Sequence, residues 1–159
     1  MYSANCLASA LRTASLGRDD APFATDASTR QITTYGALWT QAEAMAGALV
    51  ALGVAPGDRV AMQVEKSIPG LACYLGTVLA GAIHLPLNTG YPAAEVSYFL
   101  TDAAPRVFVC DPAKLDTLTP VAEQAGVTHV LTLDAAGQGT LTDAAEGATP
   151  LRDAVARGA

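Results

Sequence analysis

Positive charge is scarce in this 159-residue chain. Nine lysines and arginines stand against fifteen aspartates and glutamates, a formal net charge of −6, and the only lysines are Lys66 and Lys114. Binding to nucleic acid or to an anionic membrane surface requires clustered cations, which this sequence does not have. The sequence therefore predicts no nucleic-acid partner and no membrane partner. A phosphate-bearing ligand would depend on local backbone donors and one or two placed cations.

Cysteine and histidine are too few for a metal centre. The chain has three cysteines and two histidines, without the short paired spacings that a zinc site requires. We expect no metal ligand among them. Cys6, Cys73 and Cys110 are instead expected to be buried, reduced thiols, since cysteine outside disulfides behaves as a small apolar residue.

Long apolar runs are also missing. No stretch reaches the ~18 residues that a membrane-spanning helix needs, because glycine, proline or charged residues interrupt every run. The N-terminus lacks the basic region, apolar block and cleavage site of a secretion signal. With 51% hydrophobic residues the chain is nonetheless too apolar to be disordered. These features predict a soluble, cytoplasmic protein whose length fits one domain.

The sequence does contain a regular alternation of short apolar runs and helical segments. Strands are predicted at 22–25, 31–34, 59–64, 82–87, 106–110 and 129–133, and helices at 4–16, 35–52, 67–80, 92–103 and 113–125. The later strands are continuous apolar runs, as expected when both faces of a sheet are covered. Strand–helix–strand repetition at this spacing predicts an α/β fold, in which helices cover both faces of a parallel sheet.

This pattern divides the chain into three segments. Residues 1–34 are predicted to form a helix and a hairpin-like segment, and 35–133 the alternating α/β subdomain. Residues 134–159 are predicted to be a polar excursion or linker, with the start of a helix at 151–156. Thr34 is placed to cap the helix that follows it, and Gly53 to end that helix.

One candidate site lies at residues 64–67 (VEKS), where a strand ends. Ligands of open α/β sheets bind beyond the carboxyl ends of the strands. Lys66 there suits a phosphate or carboxylate, next to the partial positive charge of the helix that Ser67 would cap. The alternative is a solvated Lys66 that pairs with Glu65 or with nothing.

A second candidate site is the segment 85–92 (LPLNTGYP), which also joins a strand to a helix. Asn88 and Thr89 are suited to turn the chain, and Gly90 to a strained backbone. The segment is either part of a site or only a well-made corner. His84 in the preceding strand is expected to be a packed residue, since nothing near it in the sequence supplies a second metal ligand.

No catalytic motif is recognisable from spacing alone. The G-x-S-x-G, H-E-x-x-H, G-x-G-x-x-G and G-x-x-x-x-G-K-[ST] patterns are all absent. The glycine-rich stretch 53–59 (GVAPGDR) precedes a strand rather than following one, so we interpret it as a turn.

Several blocks of the sequence resemble the opening of the AMP-forming acyl-CoA synthetase superfamily. They are 34–38 (TYGAL), 52–60 (LGVAPGDRV) and 79–88 (LAGAIHLPLN). Within that superfamily, further blocks are most similar to malonyl-CoA synthetases: 65–67 (EKS), 86–91 (PLNTGY), 98–103 (YFLTDA), 109–112 (VCDP) and 139–145 (GTLTDAA).

The resemblance implies a ligation in two steps. ATP and a carboxylate give an acyl-adenylate and pyrophosphate, with magnesium, and the thiol of coenzyme A then displaces AMP. For malonyl-CoA synthetases the acid is malonate or a methylmalonate-like diacid. The family's phosphate loop, its adenine- and magnesium-binding blocks and its catalytic lysine do not occur in this sequence. We therefore expect the N-terminal piece of a larger ligase, inactive alone, with no catalytic residue of its own. Its partners would be the remainder of the ligase and a small carboxylic acid.

The resemblance also implies candidate contacts. In the family the corner at 87–91 lies near the coenzyme A side of the enzyme, which makes Lys66, Asn88, Thr89 and Gly90 candidates for binding coenzyme A. Some relatives carry a cation near the position of Gly90, and this sequence has none there.

Two other functions stay open from the sequence. One is a free-standing flavodoxin-like module that holds a small ligand at Lys66 or Asn88, and the other is a non-enzymatic interaction domain. A piece severed from a larger sheet would expose an edge strand and apolar surface, which predicts self-association.

Overall fold

The computed structural model describes residues 6–27 and 29–152. The helices are α1 (Cys6–Ser15), α2 (Tyr35–Ala51), α3 (Ile68–Leu79), α4 (Ala93–Ala103), α5 (Leu115–Gln124) and α6 (Thr140–Gly147). The strands are β1 (Pro22–Thr25), β2 (Ile32–Thr34), β3 (Arg59–Gln63), β4 (Ile83–Pro86), β5 (Val107–Cys110) and β6 (His129–Thr132). A 3-10 turn at Pro112–Lys114 precedes α5. The predicted alternation is confirmed. Of the helix predicted at 151–156, residues 153–156 lie outside the described residues, and 151–152 are not helical.

Four strands form one parallel sheet in the order β4-β3-β5-β6, and β1 pairs with β2 in a separate antiparallel hairpin. In the sheet, Val60 of β3 lies opposite His84 of β4 on one side and Val107 of β5 on the other. The chain therefore steps from β3 outward to β4, returns across β3 to β5, and continues to β6. This topology confirms the predicted α/β class.

Successive residues of the central strands enter two different cores. Val60 and Met62 pack in a cluster with residues of α2, α3 and α6, whereas Ala61 and Phe108 pack with residues of α4 and α5. Side chains alternate across a strand, so a strand covered on both faces buries every position. All four residues of β5 are buried for this reason, which explains the continuous apolar runs in the sequence.

Helix α2 is bounded by the two predicted residues and packs closely on α3. The N–H of Ala37 donates to Thr34 Oγ1 at 3.2 Å, and Gly53, after the helix, has a φ of 84°. Along its side α2 meets α3 at Gly76, where a Cβ would lie only 2.8 Å from the carbonyl oxygen of Ala42. A residue without a side chain is required at this crossing.

The segment 134–150 contains a helix, α6, which its composition did not predict. Leu141 and Ala145 are four positions apart, hence on one helix face, and both are buried in the cluster that includes α2. The N–H of Thr132 donates to Thr140 Oγ1 at 2.9 Å, and the N–H of Thr140 donates to Thr132 Oγ1 at 3.0 Å. These bonds join α6 to the end of β6. The division of the chain into three segments stays a prediction.

The three thiols differ in environment. Cys73 and Cys110 are buried, as predicted, but Cys6 is exposed. The prediction for Cys6 was wrong because α1 buries only the face that carries Ala8 and Ser15. Within residues 6–27 and 29–152, every helix is too short or too polar to cross a bilayer.

Candidate functional site

The carboxyl ends of β3 and β4 open onto a cavity of about 770 Å³. Its polar wall includes Lys66, Asn88 and Thr89, and its apolar wall includes Met62 and Leu71. Three of the four predicted site residues therefore share one cavity, at the edge where the sequence placed them. Gly90 is not among the residues that line it.

Lys66 lies between the end of β3 and the start of α3. Its side chain is exposed, and Ser67 Oγ accepts the N–H of Gly70 at 3.1 Å, which caps α3 as predicted. Among the residues that the structure describes, no ion pair joins Lys66 to Glu65. A solvent-facing ammonium beside a helix N-terminus suits an anionic group of a ligand.

The segment after β4 forms a tight corner, made by Asn88. Asn88 Oδ1 accepts the N–H of Gly90 at 2.8 Å, and the Asn88 carbonyl accepts the N–H of Tyr91 at 3.0 Å. The N–H of Leu87 donates to the carbonyl of Met62 at 2.8 Å, which extends the pairing of β4 with β3. Gly90 does not have a left-handed backbone, so the predicted strain there was wrong. The short asparagine side chain turns the corner instead.

Two residues that the sequence analysis did not assign to the site, Gln63 and Lys114, donate hydrogen bonds to this corner. Gln63, the last residue of β3, donates from Nε2 to the carbonyl of Asn88 at 2.8 Å and to that of Tyr91 at 3.2 Å. Lys114, after β5, donates from Nζ to the carbonyl of Thr89. The sequence did contain one signal for Gln63, since a glutamine ends a strand that is otherwise mostly apolar. For Lys114 there was no local signal: it reaches the corner only because β5 lies beside β3, and this strand order is known only from the structure.

The corner covers the point at which the sheet connections diverge. Strands β3 and β5 are neighbours, but the connection after β3 leads to β4 and the connection after β5 leads to β6, on the other side. In open α/β sheets such a divergence leaves a crevice that binds ligands. Here Gln63 and Lys114, one from each strand end, both donate to the corner that crosses between them. The open space lies instead between β3 and β4.

Burial shifts the pKa of two groups near the cavity, His84 and Cys110. Burial lowers the pKa of His84, whose ring packs edge-on against Tyr74 with centroids 5.0 Å apart. Burial raises the pKa of the Cys110 thiol to about 11, with a smaller contribution from Asp111. A thiol with so high a pKa stays protonated at neutral pH and is a poor nucleophile. The described lining of the cavity offers Lys66, Asn88 and Thr89 as polar contacts for a ligand.

The comparison with family models decides the identity of the fold. A model described as AMP-binding enzyme matches residues 8–156. The match includes both candidate strand ends. The chain belongs to the AMP-binding enzyme family.

Solved structures of the family support the fold and the finer resemblance. Apo MatB from Rhodopseudomonas palustris is 48% identical, with a TM-score of 0.72 over 77% of this chain and 24% of that one. ATP-bound MatB is 46% identical, with a TM-score of 0.74 over 82% of this chain and 26% of that one. A benzoate CoA ligase from Burkholderia xenovorans LB400 is 25% identical, with a TM-score of 0.77 over 92% and 29%. MatB is a malonyl-CoA synthetase, so its identity of 46–48% confirms the predicted resemblance to that group.

The chain spans a small part of the family members it matches. The long-chain-fatty-acid–CoA ligase FadD13 of Mycobacterium tuberculosis is 33% identical over 92 residues, which is 58% of this chain and 18% of that protein. The matched part of MatB is likewise about a quarter of its length. The similarity therefore concerns one region of these enzymes.

Proposed function

We propose that this chain forms the N-terminal part of a cytoplasmic, adenylate-forming acid–CoA ligase whose acid is malonate or a methylmalonate-like diacid. In the first step a carboxylate oxygen of the acid attacks the α-phosphorus of ATP, and pyrophosphate leaves. In the second step the sulfur of coenzyme A attacks the acyl carbon of the adenylate, and AMP leaves as the thioester forms. Positioned charges and hydrogen bonds, rather than a protein nucleophile, would lower both barriers.

The observation that carries the choice of acid is a difference in identity. The chain is 46–48% identical to MatB but 25% identical to a benzoate CoA ligase, although both superpose with similar TM-scores. The two folds are about equally similar to this chain, but the sequence of MatB is much more similar than that of the benzoate ligase. This difference favours the malonyl-CoA synthetase subgroup over an aryl-acid ligase. The blocks 65–67 and 86–91, which carry the sequence resemblance to malonyl-CoA synthetases, contain the polar residues that line the cavity except His84.

The described residues fit a wall along which coenzyme A approaches. We assign contacts with it to Lys66, Asn88, Thr89 and Gly90. The sequence has no cation next to Gly90, but Lys114 brings one to the corner from the turn after β5. Its ammonium has three N–H donors, and one of them binds the carbonyl of Thr89. Its remaining donors suit a phosphate oxygen of coenzyme A.

In this proposal the magnesium ion belongs to the remainder of the ligase. No group of three or more His, Cys, Asp or Glu side chains is arranged to hold a metal ion among residues 6–27 and 29–152. In the proposed ligase, magnesium and the triphosphate of ATP would be held by the remainder of the enzyme. Residues 1–159 alone are then expected to form no malonyl-CoA.

A flavodoxin-like module is not favoured. The AMP-binding enzyme model matches residues 8–156, nearly the whole chain, and MatB superposes on 77–82% of it at 46–48% identity. No observation favours a non-enzymatic interaction domain.

The test is acid-dependent exchange of pyrophosphate into ATP by the complete ligase, followed by thioester formation when coenzyme A is added. Malonate, methylmalonate, succinate, acetate, octanoate and benzoate form the panel, and residues 1–159 alone are the control. We expect exchange with malonate or methylmalonate and none from the control. Exchange with benzoate or octanoate but not with the diacids would overturn the choice of acid. No exchange with any acid would overturn the ligase.

A further inference from the structure

Gln63 is a fully buried polar residue in an apolar environment. It closes the central strand β3, is 0% exposed, and lies opposite Cys110 of β5. Because side chains alternate along a strand, Gln63 shares a face with Ala61, which packs among Leu87, Val96 and other apolar residues of the cluster on that side. Packing alone would favour a hydrocarbon side chain at this position.

The amide of Gln63 is only half satisfied. Nε2 donates to two carbonyls, but Oε1 is buried and has no hydrogen-bond partner among the described residues. A buried acceptor without a partner opposes folding, since water that it could have bound is lost. An unsatisfied group of this kind in the core calls for a reason other than stability.

The two carbonyls that Gln63 binds belong to the first and last residues of the corner 88–91. One primary amide therefore spans both ends of the segment that carries Asn88, Thr89 and Gly90. The other described bonds to its backbone are few: the N–H of Tyr91 donates to the carbonyl of Asn88, the N–H of Gly90 donates to Asn88 Oδ1, and Lys114 binds the carbonyl of Thr89. Strand β3 thus holds the corner itself through one side chain, in addition to the backbone bond from Leu87 to Met62 that precedes the corner.

We propose that Gln63 is a positioning residue, which holds the corner 88–91 in the geometry that coenzyme A binds. The proposal rests on the proposed function, because it takes the corner to face coenzyme A. Gln63 is 0% exposed and does not line the cavity, so we expect it to act through the corner and not by contact with a substrate. Its loss acts on the second step, thioester formation, and spares the first.

The structure offers a suitable variant and a matched control. Gln63→Met preserves the length of the side chain and its fit to the apolar cluster but cannot donate, and it removes the unsatisfied oxygen. Gln63→Asn retains the amide but is one methylene too short to reach both carbonyls. Thr77→Val is the control: Thr77 is 0% exposed on α3, on the other face of the sheet, and its hydroxyl donates to the carbonyl of Cys73 at 2.8 Å. All three variants lose buried side-chain-to-backbone hydrogen bonds.

The assay separates the two steps in the complete ligase. Two hydrogen bonds of ordinary strength correspond to roughly a tenfold change in a binding constant. We expect Gln63→Met to raise KM for coenzyme A about tenfold, with malonate-dependent pyrophosphate exchange within about twofold of wild type. For Gln63→Asn we expect a KM for coenzyme A between those of wild type and Gln63→Met. For Thr77→Val we expect KM and pyrophosphate exchange to be unchanged, even if its melting temperature falls as much as that of Gln63→Met.

Several outcomes would contradict the proposal. An unchanged KM for coenzyme A in soluble Gln63→Met overturns it, and so does a loss of exchange in proportion to the loss of thioester formation, which is the pattern of a merely structural residue. If Gln63→Met does not fold, the same criteria apply to Gln63→Asn. A wild-type ligase that shows no exchange with any acid refutes the proposed function itself, and the role of Gln63 in coenzyme A binding falls with it.

Discussion

Replacing Gly76 by alanine should destabilise the fold, although alanine is the better helix former. Gly76 lies within α3 where that helix crosses α2. A Cβ at this position would lie 2.8 Å from the carbonyl oxygen of Ala42, 3.1 Å from the amide nitrogen of Ala46 and 3.1 Å from Cβ of Met45. Two of these three atoms belong to the backbone of α2 and cannot rotate away. The helices must separate instead.

The size of the effect follows from that separation. Non-bonded heavy atoms attract best at about 3.5 Å, so the helices would have to move apart by roughly 0.7 Å, a gap that forfeits about a quarter to a half of the dispersion attraction at the contact. Overpacking of this kind costs about 1–3 kcal/mol. Alanine regains about 1 kcal/mol of helix propensity. Because a contact of 2.8 Å with a backbone oxygen cannot be relieved by a rotamer change, we take the upper part of that range, about 2–3 kcal/mol. The net loss is then about 1–2 kcal/mol for alanine, and larger for valine, which brings two further methyl groups.

Thermal and urea unfolding of the chain test this prediction, with Gly147→Ala in α6 as the matched control. A Cβ at Gly147 meets nothing within 4 Å, so the same substitution should be neutral or stabilise the chain by up to about 1 kcal/mol. A loss of 1–2 kcal/mol at Gly76 lowers the melting temperature by about 3–6 °C in a domain of this size. A Gly76→Ala variant as stable as wild type would refute the inference that the helix crossing has no room for a side chain.

Two further predictions concern the thiols and the end of β6. Burial raises the pKa of Cys73 to about 12 and that of Cys110 to about 11, above their ordinary value of 9.0, so between about pH 9 and 11 both are protonated when folded and ionise on unfolding. Their contribution to stability is full below pH 9 and is lost as the pH rises through 11–12. At pH 8 a thiol reagent should modify the exposed Cys6 rapidly, and Cys73 and Cys110 only after denaturation. Gly139→Ala should destabilise the chain by at least about 2 kcal/mol in urea unfolding, because a Cβ there lies 2.3 Å from the carbonyl oxygen of Thr132 and φ is 142°; a smaller loss would contradict this close approach.

The elements that the sequence predicted are those whose determinants are local. The apolar runs of the strands, the cap at Thr34 and the terminator at Gly53 each act within a few residues. Helix α6 was missed because only Leu141 and Ala145 of its eight residues are buried, too few to make an apolar stripe stand out from a polar, alanine-rich segment. Short helices of this kind depend on packing rather than on propensity.

Only the part of the candidate site that depends on local sequence was predicted. Lys66, Asn88 and Thr89 follow strand ends, which can be read from the order of elements, and they do share a cavity. Gln63 and Lys114 enter the site through contacts that span 25 residues in sequence. Such contacts require the knowledge that β3 lies between β4 and β5, and strand order is not encoded in any single stretch of the chain.

The strand order also explains why an acidic chain can offer an anionic ligand a suitable place. Lys66 follows β3 and Lys114 follows β5, so the only two lysines of the sequence lie at the carboxyl edge of the sheet. Arg59 begins β3 and Arg106 precedes β5, so these arginines lie at the opposite, amino edge. With a net charge of −6 the molecule as a whole repels a phosphate-bearing molecule, and local cations decide where one can bind. Exchanging both lysines for methionine would therefore weaken binding of an anionic ligand at the carboxyl edge, whereas the same exchange at the two arginines would not.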